Sequence, residues 1–304
     1  MKKLAITVLS CLLLTVLSPA QSLSKVRVPV ARTVSSIAVL ELGGKTIAGV
    51  AIETPFFDDH PLAVAELLGG NSQVLLTGSS LGIKNSQAGG PLVQVGTPVW
   101  DVSGLVTLDP AIKSLDDLAG KLVLLPLVNG PLDLQFKAIL KAKGLDTKVK
   151  IDYAEPAQSM ALLLAKKADA AGLPEPLVSS LVLLKGATEI TTFAKAWAPL
   201  NGGDGRAPQV SLLARRDFAA ANPGFLKALV AEVRKTIAAV QADPKAFAAK
   251  YSTVLNLPAA VVERGLSNTQ FDLPNPATAA QLYANYLSLT GEIKPVAADF
   301  FFQE

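Results

Sequence analysis

The sequence predicts an α/β protein of two lobes, each a mostly parallel sheet flanked by helices, with a cleft between them. Three observations lead there. From Lys25 onward, short β-rich runs alternate with helical patterns, and glycines or prolines separate them. At 304 residues the chain is too long for one small core and short for three domains. Two sharp breaks, Asp109-Pro110 and Asn201-Gly202-Gly203-Asp204-Gly205, mark a crossing out of a first unit and a later return to it. The division is residues 1–20 as a signal peptide, 21–109 as the first part of lobe I, 110–205 as lobe II, and 206–304 as the return to lobe I with closing helices.

Lys2 and Lys3, the apolar run Leu4 to Leu17, and the small-residue exit Ser18-Pro19-Ala20 have the order of a secretory signal cleaved after about Ala20. The run is 14 residues, under the roughly 17–25 that cross a bilayer, which argues against a permanent anchor. Val8-Leu9-Ser10-Cys11 loosely resembles a lipobox, but Leu9 fits poorly and Cys11 sits in mid-run, so lipidation at Cys11 is the weaker alternative. No later stretch is long and apolar enough to span a membrane, so the expected location is periplasmic or extracytoplasmic. The mature chain has no cysteine and must stand on its core, for which 50% apolar composition is ample. Without Lys2 and Lys3, the 28 basic residues fall to 26 against 25 acids, and they are interspersed, so no nucleic-acid surface is predicted.

Lys25 to Pro29 reads as a strand, followed by the hydroxyl-rich helix start Thr33-Val34-Ser35-Ser36, the apolar stretch Ile37 to Leu42 and a Gly43-Gly44 stop. Thr46 to Glu53 reads as a second strand. Asp58 or Asp59 caps a helix over Pro61 to Leu68, and the short strand Gln73 to Leu76 opens into Thr77-Gly78-Ser79-Ser80. Val93–Val95 and Val99–Val106 are β-rich, broken by Gly96 and Pro98. Beyond Ile112 come a helix capped by Ser114, strand Leu122–Leu125, helix Pro131–Lys143, strand Val149–Tyr153, helix Pro156–Lys167 and strand Ala168–Leu173. After Pro174-Glu175-Pro176 another helix runs to Leu184, and Thr188–Phe193 is β-rich. Val210–Ala214 is the return strand. The remainder is helical, with Phe225, Leu226, Leu229, Val230, Val233, Ile237 and Val240 as one apolar stripe.

Open α/β sheets bind ligands beyond the carboxyl ends of their strands, so strand-to-helix loops of both lobes are expected to face the cleft. Free N–H groups at helix starts attract polar or anionic groups. Thr77, Gly78, Ser79 and Ser80 form one such start, and Thr33, Ser35 and Ser36 another, with ordinary capping as the alternative use of each hydroxyl. Asn129-Gly130-Pro131 is the equivalent in lobe II, with Asp133 in the first helical turn, and a plain tight turn is its alternative. Trp100, Trp197, Phe56 and Phe57 offer flat faces to a ligand or to the core. His60 is the sole histidine and has no metal-ligating companion in sequence, so capping or surface use is expected and no metal or other cofactor.

"IKSLDDLAGKLVLLP", "LKAKGL" and "AEPAQSMALLLAKKADAAGLPEP" resemble the second lobe of solute-binding proteins of bacterial ABC importers, in the branch that binds sulfonates, taurine, nitrate and thiamine-pyrimidine precursors. Asp117-Leu118-Ala119-Gly120-Lys121, Ala168-Asp169-Ala170 and Glu175-Pro176 carry the resemblance, and "ARRDFAAANPGFLKALV" and "QADPKAFAAKY" look like the family's return strand and closing helices. The resemblance implies a type II periplasmic binding protein, monomeric, that captures a small organic or anionic solute by hinge closure and delivers it to a permease with its ATPase. It also puts Glu175 at the cleft, either on a donor or cationic group of the solute or in a salt bridge across the hinge. An exported sensor with the same fold is the alternative. An enzyme is less favoured: a relative that makes the thiamine pyrimidine uses histidine and a cysteine-rich iron motif, and the mature chain has one histidine and no cysteine.

Overall fold

The computed structural model describes residues 23–291 and 294–303; the expected signal peptide and Cys11 lie outside them. β1 (Lys25–Arg27) and β2 (Val30–Ala31) lead through a 3-10 turn at Val34–Ser36 into the single-turn α1 (Ile37–Leu40). The stretch Thr46 to Glu53, predicted as one strand, is a hairpin of β3 (Thr46–Ile47) and β4 (Val50–Glu53). Ala48 and Gly49 take φ of 48° and 80°, the left-handed geometry of a two-residue hairpin turn. β5 (Phe56–Phe57) precedes α2 (His60–Leu68), where the Asp59 carboxylate accepts from Leu62 N–H as the cap. β6 (Val74–Gly78), α3 (Ser79–Gln87) and β7 (Leu92–Asp101) follow. β7 runs through Gly96 and Pro98 as one strand, where the sequence predicts a break. A Cβ on Gly96 would lie 2.8 Å from Leu273, so the glycine is there for close packing.

β8 (Ser103–Thr107) stands before the predicted crossing at Asp109-Pro110, yet it pairs antiparallel with strands of the second sheet. The chain therefore changes sheet at Asp101–Ser103, where the Asp101 carboxylate accepts from Ser103 N–H and turns the backbone. An uninterrupted β-rich sequence hid that corner. The second sheet is completed by β9 (Leu122–Leu125), α4 (Pro131–Ala142), β10 (Lys150–Tyr153), α5 (Pro156–Leu164), β11 (Ala170–Pro174), α6 (Leu177–Lys185) and β12 (Thr188–Thr192). Its order is β10-β9-β11-β8-β12. The short α7 (Phe193–Trp197) then leads to β13 (Val210–Arg215), which inserts between β6 and β7 of the first sheet.

The second sheet is mixed, whereas the first, in the order β14 (Gln270–Phe271), β7, β13, β6, is antiparallel throughout, and β1, β4 and β3 form a small sheet of their own. Parallel pairing joins β1 to β4 and β9 to β10 and β11, whereas β8 and β13, each adjoining a crossing between sheets, run against their neighbours. The expectation of mostly parallel sheets therefore fails for the first sheet, because β13 returns between β6 and β7 against both, and in the second it gives way at β8.

α8 (Arg216–Ala221), α9 (Pro223–Ala242), α10 (Pro244–Leu255), α11 (Ala259–Asn268), β14 (Gln270–Phe271) and α12 (Pro276–Thr290) complete the described chain. The predicted stripe of α9 is buried along its length, from Phe225 to Val240. One apolar core lies within lobe I, around Val26, Ile37, Ile52 and Leu229. A smaller one lies within lobe II, around Val106, Leu124 and Leu181. The third is shared: Trp100, Tyr283 and Phe300 of lobe I join Phe136, Phe193 and Trp197 across the boundary. The two lobes thus meet through apolar packing on one side and through an open cleft and a polar seam elsewhere.

Candidate functional site

The corner between β9 and α4 faces the cleft. Leu127, Val128 and Asn129 are exposed there, Asn129 at φ 54°, and Gly130 leads into Pro131 at the first helical position. Asn accepts the left-handed conformation more readily than most residues, which fits it to this place. Asp133, fully buried one turn on, holds the corner. Its carboxylate accepts from Asn129 N–H at 2.7 Å, from Lys137 Nζ at 2.8 Å and from the Tyr153 hydroxyl at 3.1 Å. Asp133 raises the Lys137 ammonium above its ordinary pKa.

Two cavities open against this corner. A narrow one of about 40 Å³ is lined by Ser80 of α3 and by Asn129, Pro131 and Tyr286, so it brings together residues predicted from opposite lobes. The Tyr286 hydroxyl donates to the Pro131 carbonyl at 3.0 Å, closing its floor. A wider cavity of about 220 Å³ lies between the sheets, lined by Gly130, Leu132, Pro156 and Pro174 from lobe II and by Val102, Gln209 and Val210 at the two crossings. Gln209 Nε2 donates to Gln135 Oε1 at 3.1 Å, a second direct tie between the lobes.

The hydroxyls of the β6–α3 corner divide. Ser80 reaches the cleft, and Gly78 is the helix cap position. Thr77 and Ser79 turn inward and are buried. Thr77 Oγ1 meets His60 Nδ1 at 2.8 Å, which accounts for the lone histidine, whose pKa burial lowers. Ser79 Oγ lies 2.7 Å from Ser211 Oγ, which lies 2.7 Å from the Tyr283 hydroxyl, which meets Thr97 Oγ1 at 2.8 Å. These hydroxyls satisfy one another inside lobe I, so Thr77 and Ser79 present no side chain to the cleft.

Thr33 and Glu175 meet elsewhere. The Thr33 hydroxyl donates to the Glu175 carbonyl at 3.2 Å, and the Glu175 carboxylate accepts from Ser179 N–H at 3.0 Å and Asn268 Nδ2 at 2.9 Å. Arg264 of α11 stands 3.5 Å from Glu175 and also donates to Glu189 and to Ser179 Oγ. Burial pushes the Glu175 carboxyl up, against these donors. The pair with Arg264 is the salt bridge across the lobes, one of its two predicted roles. Ser35 is buried within its 3-10 turn, and neither it nor Thr33 lines either cavity.

Trp100, predicted for the ligand wall, is fully buried and packs edge-on against Tyr283 at 6.0 Å. The reason lies in its strand: every residue of β7 is buried, so a large side chain there is core whichever way it points. Trp197 is likewise buried, 5.8 Å from Tyr286. Phe56 is half-buried beneath the Arg32 guanidinium at 3.9 Å, and Phe57 packs edge-on against His60. Among the described residues no group of three or more His, Cys, Asp or Glu side chains is placed to hold a metal ion.

Gln209, Pro208 and Tyr286 reach the cleft without any sequence signal, since a residue just before a return strand or on the inner face of a closing helix has no motif to mark it.

A family model described as NMT1/THI5 like matches residues 46–247, two thirds of the chain and all of lobe II. The chain belongs to the NMT1/THI5-like family. Comparison with curated protein sequences finds no match. Among solved structures, this NMT1/THI5-like chain is similar to the periplasmic aliphatic sulphonate binding protein SsuA from Escherichia coli, with 22% identity and a TM-score of 0.73 over 91% of this chain and 96% of that one. The alkanesulfonate-binding protein SsuA from Xanthomonas axonopodis pv. citri, bound to MOPS, shares 20% identity at a TM-score of 0.70, over 92% and 99% of the two chains. The ligand-binding component of an ABC-type import system from Staphylococcus aureus gives 15% identity and 0.73, over 92% and 96%. At these identities the likeness establishes the fold, the two-lobe architecture of periplasmic binding proteins.

Proposed function

We propose that the protein is the extracytoplasmic solute-binding component of an ABC uptake transporter. It takes a small solute between its lobes and, closed around it, docks on a membrane permease driven by an ATPase. The observation that carries this reading is the wider cavity, walled by strand-to-helix corners of lobe II on one side and by both interlobe crossings on the other, in a fold shared with solute-binding proteins. A ligand there touches both lobes and so stabilises the closed arrangement over any open one. The basic, apolar and small-residue order of residues 1–20 supports export, and no described helix is long and apolar enough to cross a membrane. Binding rather than catalysis is favoured because the cavity walls carry no nucleophile paired with a base.

Native mass spectrometry of gently purified protein tests this. A bound small molecule released on mild unfolding, which restores thermal stability when added back, is the expected result. At a hundred times its Kd it adds about 2.7 kcal/mol. Protein that carries no solute, and that no solute library stabilises, contradicts the reading.

A further inference from the structure

The wider cavity is chemically one-sided. Pro126, Pro131, Pro156 and Pro174 with Leu127 and Leu132 make most of its wall. Among the described residues that line it, the Ser103 hydroxyl and the Gln209 amide are the polar side chains, and none is charged. Leu127, 57% exposed, stands beside it as an apolar side chain left in water.

The first turns of α4 and α5 lie at this wall, and neither helix has a side-chain cap. Alone, two such helix starts attract an anion. Here the helix starts of lobe II already have carboxylates of their own: the buried Asp133 in the first turn of α4, the exposed Glu155 at the cap position of α5, and the buried Glu175, which accepts from Ser179 N–H in the first turn of α6. Lys137 is engaged with Asp133, and Arg264 with Glu175 and Glu189. An anion entering the cavity would give up its hydration against a largely apolar wall and meet no cation in it. A neutral group can take the uncapped N–H groups, the Ser103 hydroxyl or the Gln209 amide without that cost.

We infer that the solute is an uncharged molecule with an apolar body and one or two hydrogen-bonding groups. The inference rests on the solute-binding reading above. At about 220 Å³ the cavity suits a small solute.

Matched neutral and anionic isosteres test it. Butyl methyl sulfone against butanesulfonate, and pentanamide against pentanoate, keep size and shape while changing charge. Titration calorimetry on the full chain should give the neutral member of each pair a Kd near ~1 mM, at least about tenfold below that of its anion. Leu127→Lys, at an exposed position where folding is unaffected, should move the ratio about tenfold toward the anion. Tighter binding of the anions to the unmodified protein overturns the uncharged class and leaves solute binding standing. No binding by any of the four probes at about ten times that concentration overturns the inference of a small uncharged solute, while the solute-binding reading is decided separately by the mass spectrometry above.

Discussion

The β6–α3 and β9–α4 corners look alike in sequence, each a short strand opening through glycine and small polar residues into a helix, yet they are built for different ends. At β6–α3 the side chains of Thr77 and Ser79 are spent inside lobe I, on His60 and on the Ser211–Tyr283–Thr97 chain, and Ser80 reaches the cleft. At β9–α4 the bracing side chain is Asp133, one turn inside the helix, which leaves Leu127, Val128 and Asn129 at the surface of the cleft. Small polar residues at a helix start therefore do not mark a ligand site by themselves. What decides is whether the strands alongside offer the hydroxyls a buried partner, and β13 does so through Ser211.

The largest expected effect lies in the seam that closes the cleft. Arg264→Ala removes the cation from Glu175, which is 2% exposed, and from the largely buried Glu189. Urea unfolding should register a loss of about 2–3 kcal/mol, below the full cost of breaking a buried pair because Arg264 keeps some solvent access. A loss under about 0.5 kcal/mol would show that the seam does not hold the lobes.

Ser79→Ala and Asn129→Gly set the two corners against each other. Ser79→Ala leaves the Ser211 and Tyr283 hydroxyls short of a partner and should cost about 1–2 kcal/mol of stability with solute affinity unchanged. Asn129→Gly keeps the left-handed backbone while deleting the side chain, so stability should hold within about 0.5 kcal/mol. Solute affinity should fall about two- to threefold, because glycine loosens the corner whose Gly130 and Pro131 wall the wider cavity. The reverse pattern would exchange the assignments of the two corners.

The crossings supply a pH dependence. Asp101 sits where the chain first changes lobes, and its carboxylate also accepts from Ala194 N–H of the returning segment at 2.6 Å, tying the two crossings together. Burial pushes its carboxyl up to about 7, with Glu189 adding to the shift. The folded protein thus holds a proton that the unfolded chain releases near pH 4, so Asp101 costs stability increasingly from about pH 4 to about 7, and fully above that. Thermal unfolding across pH 4.5 to 8 should show this decline, flattened in Asp101→Asn. An unchanged slope would mean that Asp101 is not the titrating group.

Much of the scaffold was legible because it rests on local chemistry. Asp59 caps α2, Ser114 and Asp117 form the capping box of a 3-10 turn, and prolines open α4, α5 and α9. The apolar period of α9 names its buried face. The sequence left the crossing at Asp101–Ser103 unmarked, since two strands meet there with one residue between them and the nearby Pro98 and Gly104 lie inside the strands rather than at the corner. Long-range choices were equally hidden. Arg264 lies 89 residues from Glu175, and nothing near either predicts that the helix after α10 would pin lobe II. Asn129-Gly130-Pro131 marked the β9–α4 corner in the sequence, whereas the inward turn of Ser79 depended on Ser211 of β13, more than 130 residues away, and that of Thr77 on His60 of α2.

The central claim is that one solute touches both lobes at the wider cavity. Hydrogen exchange, comparing protein loaded with its released solute against stripped protein, tests it most directly. Slowed exchange is predicted at the first turns of α4 and α5 and, in the same experiment, at Gln209 and Val210 on the return to lobe I. Protection confined to one lobe, or lying away from these segments, would contradict the account.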